Sequence, residues 1–175
     1  MVIIEIVKKV GNFLFELMKM LLSSALIVFL LINFVLIPCA VEGSSMYPNL
    51  VQGDFGYSFI ITKMIGIKRF DVAVIKTGDD SSSKLIVKRV IGLPNETLEF
   101  KDNKLYINGE YVEEPFLNNT NTADFKEVLG SNEYFCMGDN REVSRDSRFY
   151  GPFSSKQIRS THLMIFYPFA RFGMR

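Results

Sequence analysis

The chain has 175 residues, and its 20 Lys and Arg against 19 Asp and Glu give a formal net charge of +1. This length suits one compact domain beside a membrane segment. Near-neutral charge without a basic stripe argues against a dedicated nucleic-acid binder. The two cysteines, Cys39 and Cys136, stand in neither a C-x-x-C nor a zinc-ligand spacing. We therefore expect no metal site and two small buried apolar side chains, although an exported domain would also tolerate a disulfide.

An uncharged run over residues 20–41 is long enough to cross a bilayer. Lysines precede the run and Glu42 follows it, so the positive-inside rule places the N-terminus in the cytoplasm and the rest outside. Residues 1–19 mix apolar and charged side chains, which predicts an amphipathic cytoplasmic lead. The sequence thus predicts a lead, a single-pass anchor over 20–41, and an extracytoplasmic domain over 42–175.

Two other interpretations of this run stay open. A cleavable signal peptide would have a shorter apolar core and a small-residue cleavage site, which Pro38-Cys39-Ala40 only partly imitates. A buried core helix is the other alternative. We favour a retained anchor, because the run is long and residues suited to catalysis begin directly after it.

Beyond Val41 the sequence has short β-branched and aromatic runs between turn residues, which predicts a mainly β, antiparallel, barrel-like domain. Asn108-Gly109 is a hairpin signal within a small β insertion over about residues 101–133. Helical pattern is thin here, with one short turn expected at residues 154–158. The predicted strands cover residues 55–62, 70–76, 84–91, 97–100, 104–107, 134–137 and 162–167.

A serine is a poor nucleophile unless a neighbouring base takes its proton, and histidine usually supplies that base. The single histidine, His162, has no Ser-His-Asp pattern around it, so we interpret it as structural. Lysine can replace it if burial lowers its pKa by several units from about 10.4. Lys88 lies in the apolar stretch LIVKRVIG, where alternation puts Lys88 and Ile86 on one face and Val87 and Arg89 on the other. One basic side chain is expected buried and the other solvated, although a charged pair on an edge strand fits the same pattern.

Two further segments contain groups suited to catalysis. Ser44-Ser45 lies between Gly43 and Pro48, in a tight loop that would present a hydroxyl just past the anchor. Residues 138–151 alternate acidic and basic side chains. A plain turn leaving the membrane and a loop braced by ion pairs, respectively, would give the same patterns.

Together these segments resemble the bacterial type I signal peptidases (leader peptidases) of the Gram-positive type, which are Ser-Lys dyad serine proteases. The S-M-x-P-x-L element is present at residues 45–50, K-R-x-x-G-x-P at 88–94, and G-D-N-R…S-x-D-S-R…G at 138–151. Gly53-Asp54 and the Arg69…Asp71 pair also fit. The resemblance covers essentially the whole chain beyond the lead.

The resemblance implies a role for each matching residue. Ser45 is the expected nucleophile and Lys88 the general base, with the backbone N–H groups of Ser45 and Gly43 as the oxyanion hole. Ser144 would hydrogen-bond the lysine amine and orient it. The remaining supporting residues would be the ion pair Asp146–Arg148 and, in the same loop, Asp139 and Arg141.

Some positions depart from the family's pattern. Asn49 replaces a threonine, Phe70 stands where a glycine is frequent, Asn95-Glu96 replaces Gly-Asp, and Val143 replaces the asparagine of some members. None of these changes removes a group expected to do chemistry. Known inactive relatives lack the serine or the lysine, and this chain keeps both. The resemblance therefore implies an active enzyme whose substrate range or efficiency the turn at Asn95 leaves open.

The implied function is that of a membrane-bound serine endopeptidase. It would remove signal peptides from exported preproteins after small residues, as in Ala-x-Ala sites, through an acyl-enzyme at the outer face of the cytoplasmic membrane. The substrate would add as a strand beside residues 85–88, with Met46, Ile86 and Val87 as walls of shallow pockets. Signal peptides and membrane lipid are the expected partners, with the secretion translocon as a further one. No cofactor, metal or nucleic acid is expected.

Two alternative functions stay open at this stage. A self-cleaving Ser-Lys repressor or mutagenesis protein would share the chemistry, but the anchor and the lack of a DNA-binding module argue against it. A non-catalytic, membrane-tethered assembly factor, such as a pilus or secretion scaffold, would need no reactive serine.

Overall fold

The structure is a computed structural model that describes residues 2–78, 83–117 and 121–175. Residues 79–82, and residues 118–120 of the predicted insertion, lie outside the described residues. The chain forms two units, Met1–Leu36 and Ile37–Arg175. The first unit consists mainly of helix α1, Val2–Phe34. Within it, Val2–Ile32 is long and apolar enough, by length and composition, to cross a membrane. The predicted lead and most of the predicted anchor are therefore one continuous helix.

The helix ends earlier than the predicted anchor, whose last residue was Val41. The chain leaves α1 after Phe34 and enters strand β1, Leu36–Ala40. Pro38 lies within that strand, and proline lacks the N–H that a helix interior needs. Cys39 and Val41 are buried in the core of the second unit. Residues 37–41 therefore belong to the β domain.

The second unit is mainly β and antiparallel, which confirms the predicted fold class. Its helices are short: α2 (Thr62–Ile65), α3 (Ser147–Tyr150) and a 3-10 turn at Phe169–Arg171. After β1, the strands in chain order are β2 (Phe55–Phe59), β3 (Val72–Lys76), β4 (Leu85–Gly92), β5 (Thr97–Lys101), β6 (Lys104–Ile107), β7 (Glu110–Val112), β8 (Phe125–Val128), β9 (Glu133–Met137), β10 (Phe153–Ser154), β11 (Ile158–Tyr167) and β12 (Gly173–Met174).

The strands of the described residues form two sheets. The larger sheet has the order β1-β2-β11-β3-β4-β9-β10, with β12 also paired to β11. The smaller sheet has the order β7-β6-β5-β8 and corresponds to the predicted insertion, although it begins at Thr97 rather than near residue 101. Asn108 and Gly109 both have positive φ in the β6–β7 turn, as an Asn-Gly hairpin requires.

Three buried clusters hold the domain together, and one of them fixes the loop after β1. Met46 and Leu50, at 2% and 0% exposure, pack with Val72 and Val74 of β3 and Leu163 of β11. Burying a side chain of this size stabilises the fold by about 1.5–3 kcal/mol. These contacts hold the segment that contains Ser45 against the large sheet.

One sequence prediction is confirmed here, and one helix is added. The short turn expected at residues 154–158 is present, because Gln157 N donates to Ser154 O at 3.0 Å before the chain enters β11. The helix in this region is α3, because the Asp146 carboxylate caps its start by accepting from Arg148 N. Cys39 and Cys136 are free and buried in separate core clusters.

Candidate active site

Two elements of the large sheet bring Ser45 and Lys88 together. Lys88 lies on β4, paired with Ala73 of β3. Ser45 lies in the loop after β1, where Tyr47 N donates to Ser44 O at 3.1 Å and Leu50 N to Met46 O at 2.9 Å. As a result, Lys88 Nζ and Ser45 Oγ lie 2.6 Å apart. This is the distance at which a hydroxyl and an amine form a hydrogen bond, as a nucleophile and a general base must.

The Lys88 side chain is almost fully enclosed, with 4% of the residue exposed. Burial lowers the pKa of Lys88 from its ordinary value of 10.5, because the low-dielectric interior disfavours the ammonium. The carboxylates of Asp146 and Asp139 oppose this shift, and the Arg148 guanidinium adds to it. A neutral amine at 2.6 Å can accept a hydrogen bond from the Ser45 hydroxyl, and a general base must be in that state.

Gly138 is held between Ser45 and Ser144. A Cβ added at Gly138 would come within 2.4 Å of Ser45 O and 2.3 Å of Ser144 Oγ, so only glycine fits. Asn140 N also donates to Ser45 O at 3.0 Å. The loop that begins at Gly138 is therefore packed directly on the nucleophile's backbone.

The expected contact between Ser144 and the lysine amine is absent. Ser144 Oγ is buried and makes no hydrogen bond with any described residue, Lys88 included. It nevertheless lies near enough to Asp146 to help lower the pKa of that carboxyl. Ser144 thus stands next to the dyad, but its role in orienting Lys88 stays a prediction.

Asp146 and Arg148 form an ion pair, with Arg148 Nη2 2.9 Å from Asp146 Oδ2. Gly138 N donates to the same carboxylate at 3.0 Å. Burial alone would raise the pKa of Asp146, but hydrogen bonds from Arg148 and Gly138 outweigh it, and the pKa is lowered. Asp146 is therefore a buried carboxylate that keeps its charge, and it connects α3 to the Gly138 loop.

Arg89 is buried, contrary to the expectation that one of the two neighbouring basic side chains would be solvated. Its Nε and Nη2 atoms donate to the Asp139 carboxylate at 2.8 and 2.7 Å. Its guanidinium carbon lies 4.2 Å from the centre of the Phe116 ring. Strand alternation did place Lys88 and Arg89 on opposite faces, but both faces of β4 are covered here.

Asp139 and Arg141, the other residues expected to support this loop, each pair with a charged residue outside it. They belong to two separate ion pairs, because Asp139 binds Arg89 and Arg141 binds Glu114. The sequence analysis missed Arg89 and Glu114. The Lys88-Arg89 dipeptide was a usable signal for Arg89, since a second cation inside an apolar strand needs a buried partner. Nothing local in the sequence identifies Glu114, which lies in the polar segment after β7.

The positions that depart from the family pattern have structural explanations. Phe70 and Asn95 have φ values of 72° and 65°, in the left-handed region where glycine is favoured, and asparagine tolerates this region better than most residues. Phe70 O accepts from Arg89 Nη1 at 2.9 Å. Asn49 Nδ2 donates to Asp139 Oδ2 at 2.9 Å. Glu96 accepts from Leu93 N at 2.7 Å and pairs with Arg69. For Val143, the structure offers no explanation.

A cleft of about 420 Å³ opens beside the dyad, and its lining includes Met46, Ile86 and Val87 as well as Ser45 and Lys88. On its floor, residues 85–88 of β4 pair with β3 on one side only, because β9 pairs with β4 from Arg89 onward. The backbone N–H groups of Gly43 and Ser45 are not paired with any other described group. The cleft thus has an unpaired strand edge and two residues with unpaired backbone N–H groups in its lining.

The comparisons with known proteins decide the family. The family model described as signal peptidase, peptidase S26, matches residues 14–167. The chain belongs to this family. Signal peptidase I S of Bacillus subtilis (strain 168) is 40% identical over 165 residues, covering 86% of this chain and 88% of the relative. Signal peptidase I of Bacillus licheniformis is 37% identical over 171 residues, covering 90% and 91%.

A crystal structure of a signal peptidase I from Enterococcus faecalis V583 is 31% identical and covers 54% of this chain and 95% of that chain, with a TM-score of 0.49. Membership in the signal peptidase family makes the chain a serine peptidase, and thus a hydrolase that removes signal peptides. Together with the apolar helix α1, it indicates a membrane-anchored enzyme.

Replacing Arg89 with methionine should strongly destabilise the signal peptidase. The change leaves the fully buried Asp139 carboxylate without its cation, and breaking a buried pair in this way costs about 3–5 kcal/mol. Lys126→Met is the matched control, because it breaks the exposed Lys126–Glu99 pair at 3.5 Å, which is worth about 0–1 kcal/mol. Urea denaturation of the full chain in detergent, followed by circular dichroism, measures both. Equal losses in the two variants would contradict this account.

Lys88→Met should stabilise the enzyme relative to wild type. This gain in stability should be larger near neutral pH than at alkaline pH. The folded state holds Lys88 with a pKa below 10.5, so the unfolded chain binds more protons between the two pKa values and wild-type stability rises with pH there. The variant lacks this dependence. Its advantage over wild type should therefore shrink as pH approaches 10.5. Lys101→Met, on an exposed residue, serves as the control. A stability difference that does not change with pH would show that folding does not lower the pKa of Lys88.

Proposed function

We propose that the chain is a membrane-bound endopeptidase that removes signal peptides from exported preproteins through a Ser45–Lys88 dyad. The observation that carries the proposal is the 2.6 Å distance between Ser45 Oγ and a lysine nitrogen enclosed in the protein. Signal peptide removal follows from the family, whereas the dyad, the acyl-enzyme and the preference for small residues are the proposal's own content. Neither a scaffold role nor self-cleavage is favoured by a specific contact.

In the first step, Ser45 Oγ attacks the scissile carbonyl carbon while Lys88 Nζ takes the hydroxyl proton. The carbonyl oxygen becomes an oxyanion, for which the unpaired N–H groups of Gly43 and Ser45 are the proposed donors. Collapse breaks the C–N bond, and the ammonium of Lys88 returns the proton to the leaving amine. The signal peptide is then an ester on Ser45, and the mature protein leaves.

In the second step, water attacks the ester carbonyl as Lys88 again takes a proton. The C–O bond to Ser45 breaks, and its oxygen recovers the proton from Lys88. The signal peptide departs with a new carboxyl group. Lys88 must therefore be neutral at the start of each step, which is what its lowered pKa supports.

The open edge of β4 supports an extended substrate. A peptide that pairs with residues 85–88 gains backbone hydrogen bonds, while alternate side chains enter the cleft. Met46 is buried, and Ile86 and Val87 are partly buried where they line the cleft. These side chains are the proposed walls of shallow pockets that admit small residues, and the proposed cleavage after Ala-like residues depends on them.

The anchor supports a site close to the membrane. Ser45 follows the end of α1, at Phe34, by only 11 residues, and β1 occupies five of them. Holding enzyme and substrate in one plane raises their effective concentration. We propose that the N-terminus is cytoplasmic and the β domain lies on the outer face of the cytoplasmic membrane, in contact with lipid. The secretion translocon as a further partner stays a prediction of the resemblance.

Ser45→Ala and Lys88→Ala should each reduce cleavage of a model preprotein by at least about 10³-fold, since removal of either member of such a dyad disables the nucleophile. Lys88→Arg should be as inactive, because arginine stays protonated and cannot accept the proton. Cleavage by the full chain in detergent, followed by gel electrophoresis, measures this.

Ser44→Ala and Lys101→Ala are the matched controls for this test, as an adjacent serine and an exposed lysine. Both should cleave like wild type. Cleavage by Ser45→Ala at the wild-type rate would show that Ser45 is not the nucleophile. If wild type cleaves no preprotein with a small-residue site, and Ser45→Ala still supports the protein's biological role, a scaffold function would replace the proposal.

The orientation can be tested with single cysteines. Both natural cysteines are buried, so their background reaction with a membrane-impermeant thiol reagent should be low. In sealed cells, Lys101→Cys should react and Lys8→Cys should not, because the cytoplasmic lead carries residue 8. Permeabilised cells provide the control in which both should react. Labelling of Lys8→Cys alone in sealed cells would show that the orientation is opposite to the one proposed.

A further inference from the structure

The loop that contains Ser45 contributes residues to two cavities. Met46 lines the cleft that also contains Lys88, whereas Tyr47 and Pro48 line a second cavity of about 270 Å³. Asn140, whose N–H donates to Ser45 O at 3.0 Å, also lines the second cavity. The lining of the second cavity therefore begins two residues beyond Ser45, and the two cavities share no lining residue.

One acidic side chain gives the second cavity its charge. Asp139 and Arg141 line it, but each is already paired inside the protein, with Arg89 and Glu114. Glu142 lines it as an exposed residue and forms no ion pair with a described residue. Asn121 Nδ2 donates to Glu142 Oε1 at 2.9 Å and holds the carboxylate at the cavity wall. Among the described lining residues, Glu142 therefore carries the uncompensated charge.

The path of the substrate connects the two cavities. Under the proposed function, on which this inference rests, the part of the preprotein before the cleaved bond pairs with residues 85–88 in the first cleft. A chain that continues past Ser45 then meets Tyr47 and the second cavity. We propose that this cavity takes a side chain from the first three residues after the cleaved bond, and that Glu142 favours a basic side chain there. Glu142 is thus a specificity-determining residue on the leaving side of the site.

The size of the effect follows from the exposure of Glu142. A solvent-exposed ion pair changes kcat/KM only modestly, so we expect about a twofold to fivefold preference for lysine over glutamine at the selected position. Glutamate there should be disfavoured further, because like charges repel. Since water and salt screen an exposed pair, the preference should shrink at high ionic strength.

The test uses the full chain in detergent and one model preprotein with a fixed signal peptide. Lysine, glutamine or glutamate is placed in turn at each of the first three positions after the cleaved bond, and kcat/KM is measured at low and high salt. Wild type is compared with Glu142→Gln, which keeps the acceptor for Asn121 but removes the charge. Glu142→Lys reverses the charge. Glu110→Gln, an exposed carboxylate on β7, is the matched control.

For wild type and Glu110→Gln, we expect kcat/KM to fall in the order lysine, glutamine, glutamate at one or more positions. We expect Glu142→Gln to lose this order and Glu142→Lys to reverse it. Cleavage without any charge preference in wild type, or the same preference in Glu142→Gln, would overturn this inference and leave the proposed function intact. If wild type cleaves none of the substrates, the proposed function fails, and this inference fails with it.

Discussion

The exclusion of water from the Lys88 amine is the constraint on which the rest of the site depends. A lysine in water is an ammonium, and an ammonium cannot take a proton from serine. Here the side chain lies on a strand covered on both faces, so the protonated form loses its hydration. The carboxylates of Asp146 and Asp139 lie near enough to favour the ammonium, and they therefore oppose the lowering of the Lys88 pKa. Both are already bound to arginines, Asp146 to Arg148 and Asp139 to Arg89. The two ion pairs therefore hold the walls of the site while limiting how strongly either acid can favour an ammonium.

The two halves of strand β4 differ in how they are paired. From Arg89 onward it is paired with β9, Arg89 itself is paired with β3 as well, and this half contributes Arg89 to the buried ion pair with Asp139. Residues 85–88 are paired with β3 alone, so their outer edge is free beside Ser45. The dyad lysine lies where these halves meet. This position explains how Lys88 can be enclosed while the preceding residues, 85–87, stay at least partly exposed.

Much of this arrangement could be predicted from the sequence, because the signals are local. Alternation along LIVKRVIG and the Asn108-Gly109 hairpin report on a residue's immediate neighbours, and the structure has a strand and a turn at these positions. Ser45 and Lys88 were named from short motifs, and their close approach follows from the fold. The end of the anchor was misjudged because residues 35–41 are apolar either in a bilayer or in a protein core, and only Pro38 argued for a strand.

The long-range partners could not be predicted in the same way. Whether Arg89 is solvated depends on Asp139 and Phe116, which are distant in sequence and meet it only through folding. The same holds for Glu114 and Arg141. The single residues at positive φ could not be predicted from the sequence either. Phe70 looks like a departure from pattern until its backbone conformation shows why glycine is favoured there. Pair formation across the fold is a property of topology, which composition and periodicity do not report.

The unpaired half of β4 has a consequence for the protein's solubility. A sheet edge with free N–H and C=O groups invites association with any extended segment, including the same edge of a second copy. Lys84, exposed directly before this half-strand, puts a positive charge next to the open edge. Like charges then oppose lasting dimerisation through the edge, whereas a passing peptide without a matching charge is admitted. This lysine, next to the open edge of β4, therefore opposes aggregation through the edge on which the proposed substrate binds.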